Sequence, residues 1–106
     1  MLRKHVTALA ATLVAGAFVS GTALAQIKVG LIVPMTGQQA STGKQIEAAV
    51  RLYMAQNGST VAGKTIEVIV KDDAAVPDNT KRIAQELIVN DKVSFIAGFG
   101  VTPAAL

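Results

Sequence analysis

The sequence has no cysteine and no tryptophan, and its single histidine is His5, near the amino terminus. The missing cysteine excludes a disulfide framework, a thiolate zinc site and a cysteine nucleophile. Beyond residue 25 there is neither histidine nor cysteine, and no Gly-x-Ser-x-Gly elbow is present, so nucleophilic catalysis has no support. Aromatic residues make up only 4%, while hydrophobic residues make up 51%. That apolar share excludes a disordered chain. A length of 106 residues allows one small domain at most. The formal charge of +3 raises nucleic-acid binding as a question. The answer depends on where the charges sit.

Two of the cations, Arg3 and Lys4, open the chain. An uncharged run rich in Ala, Leu and Val follows from Val6 to Val19, and then the small residues Ser20, Gly21 and Thr22. Ala23-Leu24-Ala25 places small side chains at the −3 and −1 positions of a cut. Basic start, apolar middle and small-residue end are the three parts of a secretory signal, with cleavage expected between Ala25 and Gln26. A membrane anchor fits less well, because the second half of the run is too polar and small to span. No cysteine sits at the cut, which argues against a lipid-anchored lipoprotein. Once residues 1–25 are set aside, 81 residues remain with eight Lys and Arg against seven acids. The basic balance belongs partly to the leader, and nucleic acid loses its main support as a partner. Export without cysteine fits the periplasm, where disulfides are possible but not required.

The remaining chain alternates between two periodicities. Ile27 to Val33 is a near-continuous apolar run ending at Pro34, which predicts a strand buried on both faces of a parallel sheet. A polar loop follows, with Gly37 as a turn residue. Gly43 to Asn57 carries Ile46, Ala49, Val50, Tyr53 and Met54 on one helical stripe, so Tyr53 is expected in the core. Thr42 with Gln45 three residues on reads as a capping box, and Asn57-Gly58 as the stop. Thr65 to Lys71 is a second strand, nearer the sheet edge, closed by Asp72-Asp73. Asp78 reads as the N-cap of a helix to about Asn90 that buries Ile83, Ala84, Leu87 and Ile88. Val93 to Ala97 is a third strand. Gly98 to Val101 is a loop, and Thr102-Pro103 reads as N-cap plus first-turn proline of a third helix. The order β-α-β-α-β predicts an α/β fold with a parallel sheet. Leu106 falls in the first turn of that last helix, so the expectation is the amino-terminal part of a longer protein.

In open parallel sheets, ligands sit beyond the carboxyl ends of the strands, where the strand order reverses. If the order begins 2-1-3, the loops after the first and third strands become neighbours there. Both lead into helix N-termini, whose free N–H groups and positive dipole end suit an anion. Thr36, Ser41, Thr42 and Thr102 add hydroxyls, and the combination favours a small carboxylate-bearing ligand. Capping and ligand contact are compatible roles for Thr42 and Thr102. Phe99 can line a pocket or pack locally. Gly98-Phe99-Gly100 is only a partial glycine fingerprint: Pro103 replaces its last glycine, and it follows the third strand, against a dinucleotide fold. Asp72-Asp73 reads as a solvated strand terminus in preference to a metal or phospho-acceptor pair.

The segments IKVGLIVPMTG, STGKQIEAAVRLYMAQNG, VAGKTIEVIVKDD, TKRIAQELIVNDKV and IAGFGVTPAAL resemble the start of a type I periplasmic solute-binding protein. The branched-chain amino acid (Leu/Ile/Val-type) receptors of ABC transporters are the most similar group. The resemblance implies two α/β lobes joined by a hinge, with a small solute captured between them and delivered to a membrane permease. Residues 26–106 would be the first part of lobe one. It implies no cofactor and no catalytic residue. It also implies that the loop after the third strand offers a hydroxyl and backbone N–H to a ligand carboxylate. Thr102 matches that position, with Phe99 and Gly100 beside it, and the loop after the first strand matches around Ser41 and Thr42. Ala74 and Val101 stand where some amino acid receptors carry a cysteine pair, and the serine-rich run after the third strand is replaced by Thr102-Pro103-Ala104. The family also includes receptors for amides, urea and aromatic carboxylates. A sensor-type binding protein of the same fold, or a secreted α/β enzyme with its catalytic residues beyond Leu106, are the alternatives.

Overall fold

A computed structural model describes residues 25–106. The expected leader up to Leu24 lies outside the described residues. The elements are β1 (Gln26–Val33), α1 (Ala40–Asn57), β2 (Thr60–Val61), β3 (Lys64–Asp72), α2 (Pro77–Val89), β4 (Phe95–Gly98) and α3 (Thr102–Ala105). The sheet order is β2-β3-β1-β4. β1 pairs in parallel with β3 on one side, from Gln26↔Thr65 to Val33↔Asp72, and with β4 on the other, from Val29↔Phe95 to Ile32↔Gly98. The order reversal expected at the first strand is therefore present, and β1 is central. Its carboxyl half, Gly30 to Val33, is the buried half.

The short strand β2 is an addition to the expected topology. It pairs antiparallel with β3 through a two-residue turn in which Ala62 (φ 50°) and Gly63 (φ 75°) are both left-handed. This is the backbone of a hairpin turn that matches strand twist. β3 thus lies one place in from the edge.

Alternation along the strands assigns the helices to opposite faces. Ile32, Ile69 and Ile96 face α2, where Ile32, Ile83 and Leu87 form the buried core with Ala84, Val93 and Phe99 packed around it. Gly30 lies on the same face, and its missing side chain makes room for Leu87, whose Cδ1 would lie 2.7 Å from any Cβ there. Full burial of a leucine stabilises by about 2 kcal/mol. Ile66 and Val68 face the other way, toward α1. That side is less tightly closed. Ile46, Val50 and Met54 are half-buried, but Ala49 is exposed and Tyr53 is 67% exposed, contrary to the core position expected for Tyr53. The physical reason is an apolar groove of about 450 Å³ between α1 and the β2–β3 hairpin, with Tyr53 on its rim.

Helix starts also differ from expectation. Pro77 is the first residue of α2 and Val76 flanks it, so Asp78 lies inside the first turn and is not the N-cap. Its charge still favours the helix dipole there. Ile88 is exposed, and Thr80 takes a buried place on α2 instead. β4 starts two residues later than expected because the Val93 N–H turns back to the Leu87 carbonyl at 3.1 Å. No helix among the described residues is long and apolar enough to cross a membrane.

Candidate functional site

The carboxyl end of β1 is the point on which the loops converge. Pro34, just past the strand, is fully buried. Gly43 of α1 lies against the Pro34 carbonyl, and Gly98 of β4 lies against the Ile32 carbonyl. Gly100 lies against the Pro34 ring. At each position a Cβ would collide, so these glycines are what lets the first turn of α1 and the β4–α3 loop close on the end of β1. Gly98 also has φ 112°, in the left-handed region. The two loops expected to share a cleft therefore meet at Pro34.

The candidate residues fall on this junction. Ser41 and Thr42 are exposed in the first turn of α1, and Thr102 is exposed at the start of α3. None of them caps its helix, which corrects the capping roles expected of Thr42 and Thr102. α1 starts at Ala40, earlier than expected, because the turn at Gly37 (φ 79°) lets the Ala40 N–H reach the Gly37 carbonyl at 3.2 Å. Gln39 flanks the helix, and its carbonyl accepts the Thr42 and Gly43 N–H groups at 3.0 and 3.2 Å. Val101 flanks α3 in the same way. The first turn of α1 holds no acidic side chain, so the positive end of its dipole is not offset locally. Phe99 is half-buried with φ 66°. Its N–H donates to the Ile32 carbonyl at 2.8 Å, and its side chain packs on the Ile32–Ile83–Leu87 core. Gly100 follows directly, where the chain crosses Pro34.

The aspartate pair is divided: Asp72 is exposed, as expected of a solvated strand end, and Asp73 is not. Asp73 is fully buried. Its Oδ2 accepts the Thr80 hydroxyl at 2.6 Å and its Oδ1 accepts the Ala75 N–H at 3.0 Å. Asp72, which pairs across the sheet with Val33, reaches into the β1–α1 loop. Its Oδ2 accepts the Thr36 hydroxyl at 2.6 Å, and its Oδ1 accepts the N–H groups of Met35 and Ala74, each at 2.8 Å. The Thr36 hydroxyl, joined by the Met35 and Ala74 N–H groups and opposed by partial burial, holds the Asp72 carboxyl below the usual carboxylate range. The two aspartates also pin a strained turn, since Ala74 (φ 52°) and Ala75 (φ 58°) are both left-handed. Sequence reasoning missed the tie that Asp72 makes to the β1–α1 loop. Its loop partners Met35 and Thr36 lie 37 and 36 residues away, and no local pattern signals them.

The junction thus carries exposed hydroxyls at Ser41, Thr42 and Thr102 beside the positive end of the α1 dipole. Hydroxyl donors near a positive dipole end are chemistry that suits an anion. No group of three His, Cys, Asp or Glu side chains that could hold a metal occurs among the described residues.

A family model for periplasmic binding proteins matches residues 26–106. Leu/Ile/Val-binding protein homolog 6 of Brucella abortus (strain 2308) is 42% identical over 81 residues, covering 76% of this chain and 21% of that protein. Among solved structures, a solute-binding protein of an ABC transporter from Rhodopseudomonas palustris BisB5, in complex with 3,4-dihydroxybenzoic acid, is 76% identical with a TM-score of 0.75. The match covers 76% of this chain and 22% of that one. A solute-binding protein from Rhodopseudomonas palustris HaA2, in complex with p-hydroxybenzoic acid, is 41% identical with a TM-score of 0.72 over the same shares. The chain spans about a fifth of the length of the relatives it matches.

Proposed function

This chain belongs to the periplasmic binding protein family, and we propose on that premise that a full-length protein carrying it captures a hydroxybenzoate-type aromatic acid for an ABC uptake transporter. Its relatives are solute-binding proteins, not enzymes. The observation that carries the solute class is the 76% identity to a protein solved with 3,4-dihydroxybenzoic acid. The junction at Pro34 supports the same class, because an aromatic acid presents one carboxylate to be met by the exposed hydroxyls of Ser41, Thr42 and Thr102. In this proposal Ser41, Thr42, Phe99, Gly100 and Thr102 form the wall that this chain contributes. The second wall belongs to a second lobe, and solute bridging the two shifts an open–closed equilibrium toward the closed form. The closed form is what a membrane permease receives. Residues 1–25 serve as the export leader, removed between Ala25 and Gln26 to release the protein into the periplasm. Mass spectrometry of the exported protein tests that cut.

Calorimetric titration of the full-length protein tests the solute. 3,4-Dihydroxybenzoate and 4-hydroxybenzoate are expected to bind, and leucine to give no heat. The Brucella relative, named for Leu/Ile/Val binding, motivates the leucine arm. Binding of leucine without either aromatic acid would overturn the solute class.

A further inference from the structure

We propose that Asp72 is a positioning residue for the solute-binding loop 34–42: its carboxylate ties that loop to the β3–α2 turn and so sets where α1 presents Ser41 and Thr42. The inference rests on the function proposed above and adds a residue that has no part in its solute wall.

One carboxylate accepts three hydrogen bonds, from the Met35 N–H, the Thr36 hydroxyl and the Ala74 N–H, all at 2.6 to 2.8 Å. Two of the three donors lie in the loop that leaves Pro34 for α1. The third lies in the turn after β3. Bonds to an ionised acceptor are short and roughly twice as strong as neutral ones. Asp72 is nevertheless exposed, so water also has access to its oxygens. What the protein bonds add is the position of the loop. Asp73 provides the contrast. Its side-chain partners, Ala75 and Thr80, lie within its own turn and α2, so it organises one connection and ties no second loop to it. The depressed carboxyl of Asp72 agrees with this geometry, since its first cause is the Thr36 hydroxyl.

From Met35 to Ala40 the chain has Gly37 in the left-handed region, and α1 has no side-chain cap to fix its start. The Asp72 bonds therefore hold the first two residues of a segment with little other side-chain anchorage. If they are lost, the first turn of α1 gains freedom, and a solute must then order it on binding, which lowers affinity.

The test uses the full-length protein, with 3,4-dihydroxybenzoate as calorimetric probe and amide hydrogen exchange without ligand. Asp72→Ala is expected to speed exchange at Met35 and weaken affinity about tenfold, and Thr36→Val to weaken it about threefold. The double variant should be no weaker than Asp72→Ala within about twofold, because both substitutions remove one shared bond. Asp72→Asn should restore part of the affinity, since its amide oxygen still accepts from Met35. Affinity within about twofold of wild type in both single variants, with fast exchange at Met35, overturns the positioning role. A Met35 amide as protected in Asp72→Ala as in wild type overturns the tie itself. If Asp72→Ala does not fold, Thr36→Val decides by the same affinity criterion. A wild type that binds no aromatic acid overturns the proposed function and this inference together, whereas a binding wild type with unaffected variants overturns the inference alone.

Discussion

Two regions lie at different ends of α1, and they are built in opposite ways. The groove toward its carboxyl end is the more apolar, about 450 Å³ lined by Ala49, Val50, Tyr53, Met54, Ile66 and Val68 among others. Its lining includes no charged side chain. The junction at the other end, around Pro34, is closed by glycine contacts and a three-bond carboxylate. On the function proposed above, the difference teaches that apolar volume does not mark the solute site. A carboxylate moved into the groove would lose hydration with few groups to replace it, at a cost of several kcal/mol. The Pro34 junction carries the exposed hydroxyls of Ser41, Thr42 and Thr102.

The strongest way to break this contrast is to fill a glycine contact. Gly43→Ala sets a Cβ against the Pro34 carbonyl, where backbone must move. A loss of about 3 kcal/mol in urea unfolding of the full-length protein is expected, despite the better helix propensity of alanine. Asp73→Ala comes next. It leaves the buried Thr80 hydroxyl with only the Val76 carbonyl, at 3.2 Å, and should cost about 2 kcal/mol. Acid should act on the Pro34 junction and spare the groove. The folded state depresses the Asp72 carboxyl, so its contribution is present above the ordinary carboxylate value and is lost as pH falls below about 4. Glu86, depressed by its 2.9 Å pair with Lys71 on the α2 face, adds to the same slope. Asp72→Asn should therefore flatten the acid limb of the stability profile without abolishing it. The smallest effect belongs to the groove. Tyr53→Ala removes an exposed ring and should change stability by no more than about 0.5 kcal/mol. It should also leave affinity for 3,4-dihydroxybenzoate unchanged by calorimetry.

What the sequence made legible follows from periodicity. β1 reads as a buried strand because Ile27 to Val33 is almost continuously apolar, and α2 because Ile83 and Leu87 recur at helical spacing. Alternation of strands and helices predicts the parallel sheet, whereas the order 2-1-3 enters the sequence reading only as a condition, which the fold meets. Helix starts were less legible. Ser41, Thr42 and Gly43 have the composition of a loop or cap, yet they lie inside α1 because the turn at Gly37 starts the coil earlier. The β2–β3 hairpin was hidden because Ala62-Gly63 lacks the usual Asn or Asp ahead of glycine, and β2 has only two residues. Tyr53 sits on the apolar stripe of its helix, but a stripe does not show whether a neighbour reaches it. Asp72 and Asp73 are adjacent and identical in type, and only tertiary contacts distinguish the buried one from the one that reaches across to Thr36.

The most direct test of the central claim is a crystal structure of the full-length protein with 3,4-dihydroxybenzoate. The prediction is a solute carboxylate within hydrogen-bond distance of donors in loop 34–42 or loop 98–102, on the side of Pro34 that carries Ser41, Thr42 and Thr102. An acid seated in the groove beside Tyr53 and Val68, or touching neither loop, would contradict it.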